Sequence, residues 1–238
     1  MAAFILVHGA WHGSWCWDRI VPLLESAGHR VLAPDLPGMG DDTTPFAADV
    51  LGQWARFIAD LARAQEEPVI LVGHSRGGLV ISQAAELVPE RIARLVYLNA
   101  FLLPDGTSLD DYLRTDPANP FEKVMKFSAD GATSSIRMGA RRAAFYHLCS
   151  DADARAAMAR QCPEPAHSFT GQLHLSRARF GSVPRAYIEA SEDQTIPLAR
   201  QRAMQSVLPC DPVMTLHSDH SPFFSTPEAL ASALLSLI

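Results

Sequence analysis

Pro68–Gly73 reads Pro-Val-Ile-Leu-Val-Gly, a run with no polar side chain on either face. A strand of that kind must be covered on both sides, which points to a parallel sheet between layers of helices. Five more short runs read as strands, several of them apolar at nearly every position: Ala3–His8, Arg30–Pro34, Ile92–Asn99, Pro184–Ala190 and Pro212–His217. Segments of helical period lie between them. Val50, Trp54, Phe57, Ile58 and Leu61 repeat at the 3.6-residue spacing of a helix buried along one stripe. Asp18 is expected to cap a helix that Gly28 stops, with Pro22 tolerated near its start. Thr226, Pro227 and Glu228 read as cap, first-position proline and first-turn acid of a C-terminal helix running through Leu237. The alternation predicts an α/β architecture.

One stretch breaks the rhythm. From Leu102 to about Ser182 no convincing strand is visible, whereas Pro104, Pro117, Pro120, Pro163 and Pro165 interrupt helical pieces such as Met138–Cys149. A connection that long is not a simple loop. The expectation is a core of residues 1–101 and 183–238 with an inserted helical cap over residues 102–182.

At 238 residues the chain is long enough for one sizeable core. Lys and Arg number 20 against 26 Asp and Glu, with no basic stripe, so neither nucleic acid nor an anionic membrane is expected as a partner. The apolar start Ala2–Val7 is too short for a membrane span and lacks the features of a signal peptide, so a cytoplasmic protein is expected. The four cysteines are far apart, with no C-x-x-C pair, and read as free thiols. His8 and His12 are four apart, but on a glycine-rich loop without an evident third ligand, so no metal site is expected.

The sharpest chemical signal is Gly73-His74-Ser75-Arg76-Gly77-Gly78, placed directly between a strand and the helical run Leu79–Val88. A G-x-S-x-G string at a strand-to-helix turn presents its serine at the apex, with glycines where strand and helix approach. A hydroxyl needs a base. His220, in the loop after Pro212–His217, is the candidate, and the acid should follow the preceding strand. Asp193 is preferred there because the turn needs a residue or two after the strand end; Glu192 is the alternative. Asp219 is expected to stabilise its own loop, and His74 to hydrogen-bond backbone. Backbone N–H groups of Arg76, after the nucleophile, and of Ala10, in the glycine-flanked loop after the first strand, are the candidate oxyanion donors. Trp11, Phe121 and Met125 are candidates for an apolar substrate pocket; Phe101 and Phe145 read as core.

These residues resemble the α/β-hydrolases, and within them the family of plant hydroxynitrile lyases and methyl-ester esterases with its bacterial esterase relatives. The likeness runs through Val7-His8-Gly9-Ala10, Trp15-Cys16-Trp17, Gly28-His29-Arg30-Val31, Asp35-Leu36, the segment around Ser75, Phe145 to Ser150, Phe180-Gly181-Ser182-Val183, Glu192-Asp193 to Ile196-Pro197, and Asp219-His220. The resemblance implies a six-stranded, mainly parallel sheet. It also implies a triad of Ser75, Asp193 and His220, oxyanion donors at Ala10 and Arg76, and no cofactor. Its members are commonly homodimers acting on small-molecule esters or cyanohydrins.

Gly9 separates the two kinds of member, and two further positions, Ser221 and Arg76, depart from the pattern. The lyases resembling this chain carry threonine where Gly9 stands and lysine after the histidine, where Ser221 stands; the esterases keep the glycine but usually carry methionine at the second position. Arg76 replaces a commonly apolar residue, and its side chain is expected either to alter the pocket rim or to pair with an acid. Ester hydrolysis is the expected activity. Cyanohydrin cleavage on the same triad and a non-catalytic ligand-sensing role are the alternatives.

Overall fold

A computed structural model describes residues 1–115, 119 and 121–238. Pro117 and Pro120 lie outside the described residues. The first half of the chain runs β1 (Ala3–Val7), α1 (Ile20–Ser26), β2 (Arg30–Leu32), α2 (Val50–Arg63), β3 (Val69–His74), α3 (Gly77–Leu87) and β4 (Ile92–Leu98). Next come α4 (Leu109–Arg114), α5 (Phe121–Val124), β5 (Met125–Phe127), β6 (Thr133–Ile136), α6 (Arg141–Phe145), α7 (Asp151–Arg160) and β7 (Glu164–Pro165). The chain ends with β8 (Arg185–Ala190), α8 (Leu198–Val207), β9 (Val213–Leu216), α9 (Pro222–Ser225) and α10 (Pro227–Leu235).

The main sheet has six strands in the order β2-β1-β3-β4-β8-β9, every neighbouring pair parallel. β3 is buried at all six positions and β1 from Phe4 to Val7, as their sequences require. Each such Leu, Ile, Val or Phe contributes about 1.5–3 kcal/mol of burial. The helices flank the sheet: α2 packs on α3, and α1 on α10. Asp49 caps α2 through a hydrogen bond from the Gly52 N–H at 2.8 Å, and Val50, Trp54, Ile58 and Ala62 form its buried stripe. The register aligns Val7 with Gly73, His74 with Leu98, and Leu98 with Ile188. The carboxyl ends of these strands therefore share one rim, where ligands of open α/β sheets bind.

Three expectations need correction. Asp18 does not cap α1: a 3-10 turn over Ser14–Trp17 precedes the helix, Arg19 occupies the cap position, and Asp18 pairs with Arg160 at 3.0 Å. Burial of Trp15, Cys16 and Trp17 shapes that turn, overriding the local capping signal. Thr226 precedes α10, but its hydroxyl donates to the Pro222 carbonyl at 3.4 Å, and the helix ends at Leu235 rather than Leu237. The segment between β4 and β8 is not purely helical either, because β5, β6 and β7 form a three-stranded antiparallel sheet. Those strands are two to four residues long and mostly polar, too short for any alternating pattern to register.

Candidate active site

Ser75 lies in the tight turn between β3, buried at every position, and α3, buried at most of its positions. Its φ of 53° lies in the left-handed region, which costs a non-glycine residue about 1–3 kcal/mol and marks a backbone held by its surroundings. The holding contacts are explicit. Phe101 N–H donates to the Ser75 carbonyl at 3.0 Å, and Ser75 N–H donates to Leu98 at 3.3 Å. Gly73 permits the sharp return, since a Cβ there would lie 2.7 Å from the Gly77 carbonyl oxygen. The result is a serine 5% exposed at the rim of the sheet, with the start of α3 behind it.

His220 comes from the loop after β9 and Asp193 from the loop after β8. The Ser75 Oγ lies 3.0 Å from His220 Nε2, and His220 Nδ1 lies 2.7 Å from Asp193 Oδ2. All three side chains are buried. The other Asp193 oxygen accepts from Thr195 N–H at 2.7 Å and Ile196 N–H at 2.8 Å, so the carboxylate is fixed at both ends. The hydroxyl, imidazole and carboxylate foreseen from chain order are thus in line. Glu192 is elsewhere, exposed beside His217 at 3.6 Å. Asp219 turns from the ring to accept from Leu148 N–H at 2.8 Å and Ser221 N–H at 3.0 Å.

Asn99 was not foreseen. It follows β4 with φ 30°, and its Nδ2 donates to Asp193 Oδ2 at 2.8 Å and to the His220 carbonyl at 3.1 Å. A polar residue closing an apolar strand beside β3, the strand that leads to Ser75, was the available signal.

The loop after β1 lies directly over the turn that carries Ser75. A Cβ at Gly9 would stand 2.8 Å from Ser75 Cβ and 2.9 Å from His74 Nδ1, so the backbone leading to Ala10 touches the serine. Arg76, next in the chain, points its side chain inward. Its Nε lies 2.7 Å from Glu164 Oε1, and its guanidinium sits 4.1 Å over the Trp54 ring. Of the two expectations for this side chain, pairing with an acid is what occurs. Burial pulls its pKa below the usual value, opposed by the Glu164 charge.

Three buried histidines brace the backbone of the site, two of them in the loop after β1 and the third at His220. His8 donates from Nδ1 to the Gly9 carbonyl at 2.9 Å and accepts from Leu36 N–H at 3.1 Å. His12 donates to the Ala10 carbonyl at 2.7 Å and accepts from the Tyr146 hydroxyl at 2.6 Å. His74 donates from Nε2 to the His220 carbonyl at 2.8 Å. Desolvation dominates in all three, lowering His8 to about 4, His12 to about 3, and His74 well below its ordinary value. The folded state therefore binds fewer protons than the unfolded chain once the pH falls below the ordinary histidine value of about 6.5. Their stabilisation is complete above that value and is lost as the pH falls toward the folded values, at up to about 1.4 kcal/mol per ring per pH unit. Urea denaturation should show an unfolding free energy several kcal/mol smaller at about pH 5 than at about pH 7.5. Equal values would mean that these rings are charged or exposed in the fold.

Phe121 and Met125 line a cavity of about 490 Å³ together with Leu113, Phe127 and Phe169. Trp11, buried with φ 59°, stands beside it: its ring is 5.8 Å from Phe121 and 5.7 Å from Phe169. On its other side Phe145 lies 6.0 Å away and reaches the His220 ring at 5.4 Å, so Phe145 is core and also borders the site. Among the described residues no group of three His, Cys, Asp or Glu side chains is arranged to hold a metal ion, and no helix is long and apolar enough to cross a membrane.

Known proteins resemble the chain along its whole length. A methylesterase of Arabidopsis thaliana, methylesterase 1, is 34% identical, the match covering 98% of this chain and 95% of that protein. An alpha-hydroxynitrile lyase of the same plant is also 34% identical, over 98% of this chain and 96% of its own length. The crystal structure of polyneuridine aldehyde esterase superimposes with a TM-score of 0.87 at 28% identity, covering 100% of this chain and 99% of that one. The model of the alpha/beta hydrolase family matches residues 4–233, which hold the main sheet from Phe4 onward and all three residues of the Ser75–His220–Asp193 line; the chain belongs to that family.

Proposed function

We propose that this protein is a serine carboxylesterase that hydrolyses small uncharged esters through an acyl-enzyme on Ser75. The observation that carries the reading is the unbroken line from Ser75 Oγ to His220 at 3.0 Å and on to Asp193 at 2.7 Å. Ser75 Oγ attacks the ester carbonyl carbon while its proton passes to His220 Nε2. The oxyanion that forms is held by the backbone N–H groups of Ala10 and Arg76. His220 then protonates the departing alkoxide as the carbon–oxygen bond breaks. A water molecule, deprotonated by His220, attacks the acyl carbon, and Ser75 leaves with that proton as the carboxylic acid is released. Asp193 holds the imidazole in the required tautomer throughout.

The segment 102–182 acts in this reading as a cap, and the rings bordering the site, Phe145 at 5.4 Å from the His220 ring and Trp11 at 6.0 Å from Phe145, favour esters with an aromatic or short aliphatic group. The names of the relatives agree with ester hydrolysis, and one relative is a hydroxynitrile lyase. Two features weigh against cyanohydrin cleavage here. A threonine at position 9 would press its Cβ to 2.8 Å from Ser75, and Ser221, buried after the histidine, brings no positive charge to a departing cyanide.

The wild-type protein should hydrolyse a short-chain aryl ester, take up a fluorophosphonate at Ser75, and release little benzaldehyde from mandelonitrile. Benzaldehyde release faster than ester turnover would replace the esterase reading with the lyase one. Absence of both activities and of labelling would favour a ligand-sensing protein on a hydrolase fold. A panel of esters of graded acyl length, with a lactone included, maps the pocket.

A further inference from the structure

The residue after the serine carries a full charge and is completely enclosed. Arg76 and Glu164 have side chains 2% and 0% exposed. Burial of such a pair costs desolvation that its attraction barely recovers, and apolar replacements are often as stable. Here the pairing is incomplete as well: Arg76 Nη1 has no hydrogen-bond partner among the described residues. Stability is therefore a poor reason for the pair, and its position offers a better one.

Glu164 lies on β7 and reaches out of the cap with both oxygens engaged. Oε1 faces Arg76 and accepts from the Ser168 hydroxyl at 2.7 Å, while Oε2 accepts from the Trp11 N–H at 2.9 Å. Two residues earlier, Cys162 N–H donates to the Trp11 carbonyl at 3.0 Å. The cap thus holds both peptide groups of a residue whose φ of 59° would otherwise relax. The Trp11 indole adds a third tie, donating to Ser134 Oγ on β6 at 3.2 Å. From the other direction Arg76 Nη2 approaches the Gly9 carbonyl at 3.4 Å, and its guanidinium stacks on Trp54 of α2. One carboxylate therefore joins the residue after Ala10 to the side chain of Arg76, and Ala10 and Arg76 are the two residues whose N–H groups must converge on one oxygen atom.

We propose that the Arg76–Glu164 pair is a positioning device that sets the separation of the two oxyanion donors, making the cap a structural part of the oxyanion hole. The inference rests on the serine esterase reading of the site. Neither side chain touches substrate; both act through backbone. An oxyanion donor contributes about 10²–10³-fold to kcat, and a displacement on the order of 1 Å can cost about 10²-fold.

The test uses two variants of the full chain. Glu164→Gln keeps the shape while removing the charge and one acceptor. The double variant Arg76→Leu with Glu164→Leu removes both charges, so that no buried ion is left alone. For each, kcat and KM on an aryl ester are measured beside the affinity for an aryl trifluoromethyl ketone, which forms a tetrahedral adduct, and for the product carboxylate. Hydrogen exchange of the peptide over residues 8–13 is followed in parallel. Both variants should lose about 10–100-fold in kcat, with KM little changed. Ketone affinity should fall by the same factor and carboxylate affinity should stay constant, with faster exchange at residues 8–13. Wild-type kcat in the double variant, or a fall in kcat with unchanged ketone affinity, overturns the proposal, and Glu164→Gln decides alone if the double variant does not fold. A wild-type protein that turns over no ester sinks the esterase reading instead; exchange over residues 8–13 then still reports whether the pair holds the loop, and unchanged exchange rejects the positioning role.

Discussion

Ser75→Ala is expected to lower kcat on a short-chain aryl ester by at least about 10³-fold and toward about 10⁶-fold, with KM nearly unchanged. The substitution removes one buried oxygen and leaves everything that shapes the site. Alanine pays much the same steric cost as serine at a φ of 53°, and the hydrogen bonds that fix this turn are made by backbone groups. His220 still meets Asp193 at 2.7 Å, so the base stays oriented but has no hydroxyl to activate. Residual turnover would come from water attack aided by the oxyanion donors. Thermal unfolding should therefore match the wild type while fluorophosphonate labelling disappears, which separates a missing nucleophile from a damaged fold. An alanine variant that turns over the ester at the wild-type rate would remove Ser75 from the mechanism.

What could be read from the residues depended on how local the controlling physics is. Strands covered on both faces announce themselves, the partly exposed edge strands β2 and β9 by their β-branched and apolar residues, and all six of the main sheet fall within a residue or two of where the sequence places them. The serine, histidine and acid were legible for the same reason: each sits in a loop immediately after such a strand, and the parallel register brings those loops to one rim. Asn99 sits in the same kind of position, but an asparagine ending a strand has no chemistry that demands notice until Asp193 and His220 are seen around it. Glu164 was hidden more deeply. It stands between two prolines in a strand of two residues, and its partners Trp11 and Arg76 lie 153 and 88 positions away in a different part of the fold. Asp18 illustrates the opposite error, where a local capping preference of about 1 kcal/mol yields to the burial of Trp15 and Trp17. Long-range pairing, rather than any unusual residue, is what the linear pattern conceals.

Asp193→Asn should reduce kcat by about 10⁴-fold while leaving the fold in place. The size follows from hydrogen-bond directions. Asp193 Oδ1 accepts two backbone N–H groups, from Thr195 and Ile196, whereas Oδ2 accepts from His220 Nδ1 and from Asn99 Nδ2. An amide has one oxygen to offer. If the oxygen stays with the backbone pair, the new NH₂ faces two groups that were themselves donors. His220 can then avoid the conflict only by moving its proton to Nε2, which places an N–H where the Ser75 proton must be received. If the amide flips, two buried N–H groups lose their acceptor at about 1–3 kcal/mol each, so the first arrangement is favoured. The variant should thus hold the wrong tautomer, and its rate should rise with pH as hydroxide takes over the role of the base. Proton NMR offers a direct check, because the low-field Nδ1–H signal of His220 in the wild type should vanish in the variant. Retention of that signal together with a kcat within about tenfold of wild type would mean that the carboxylate does not orient the ring.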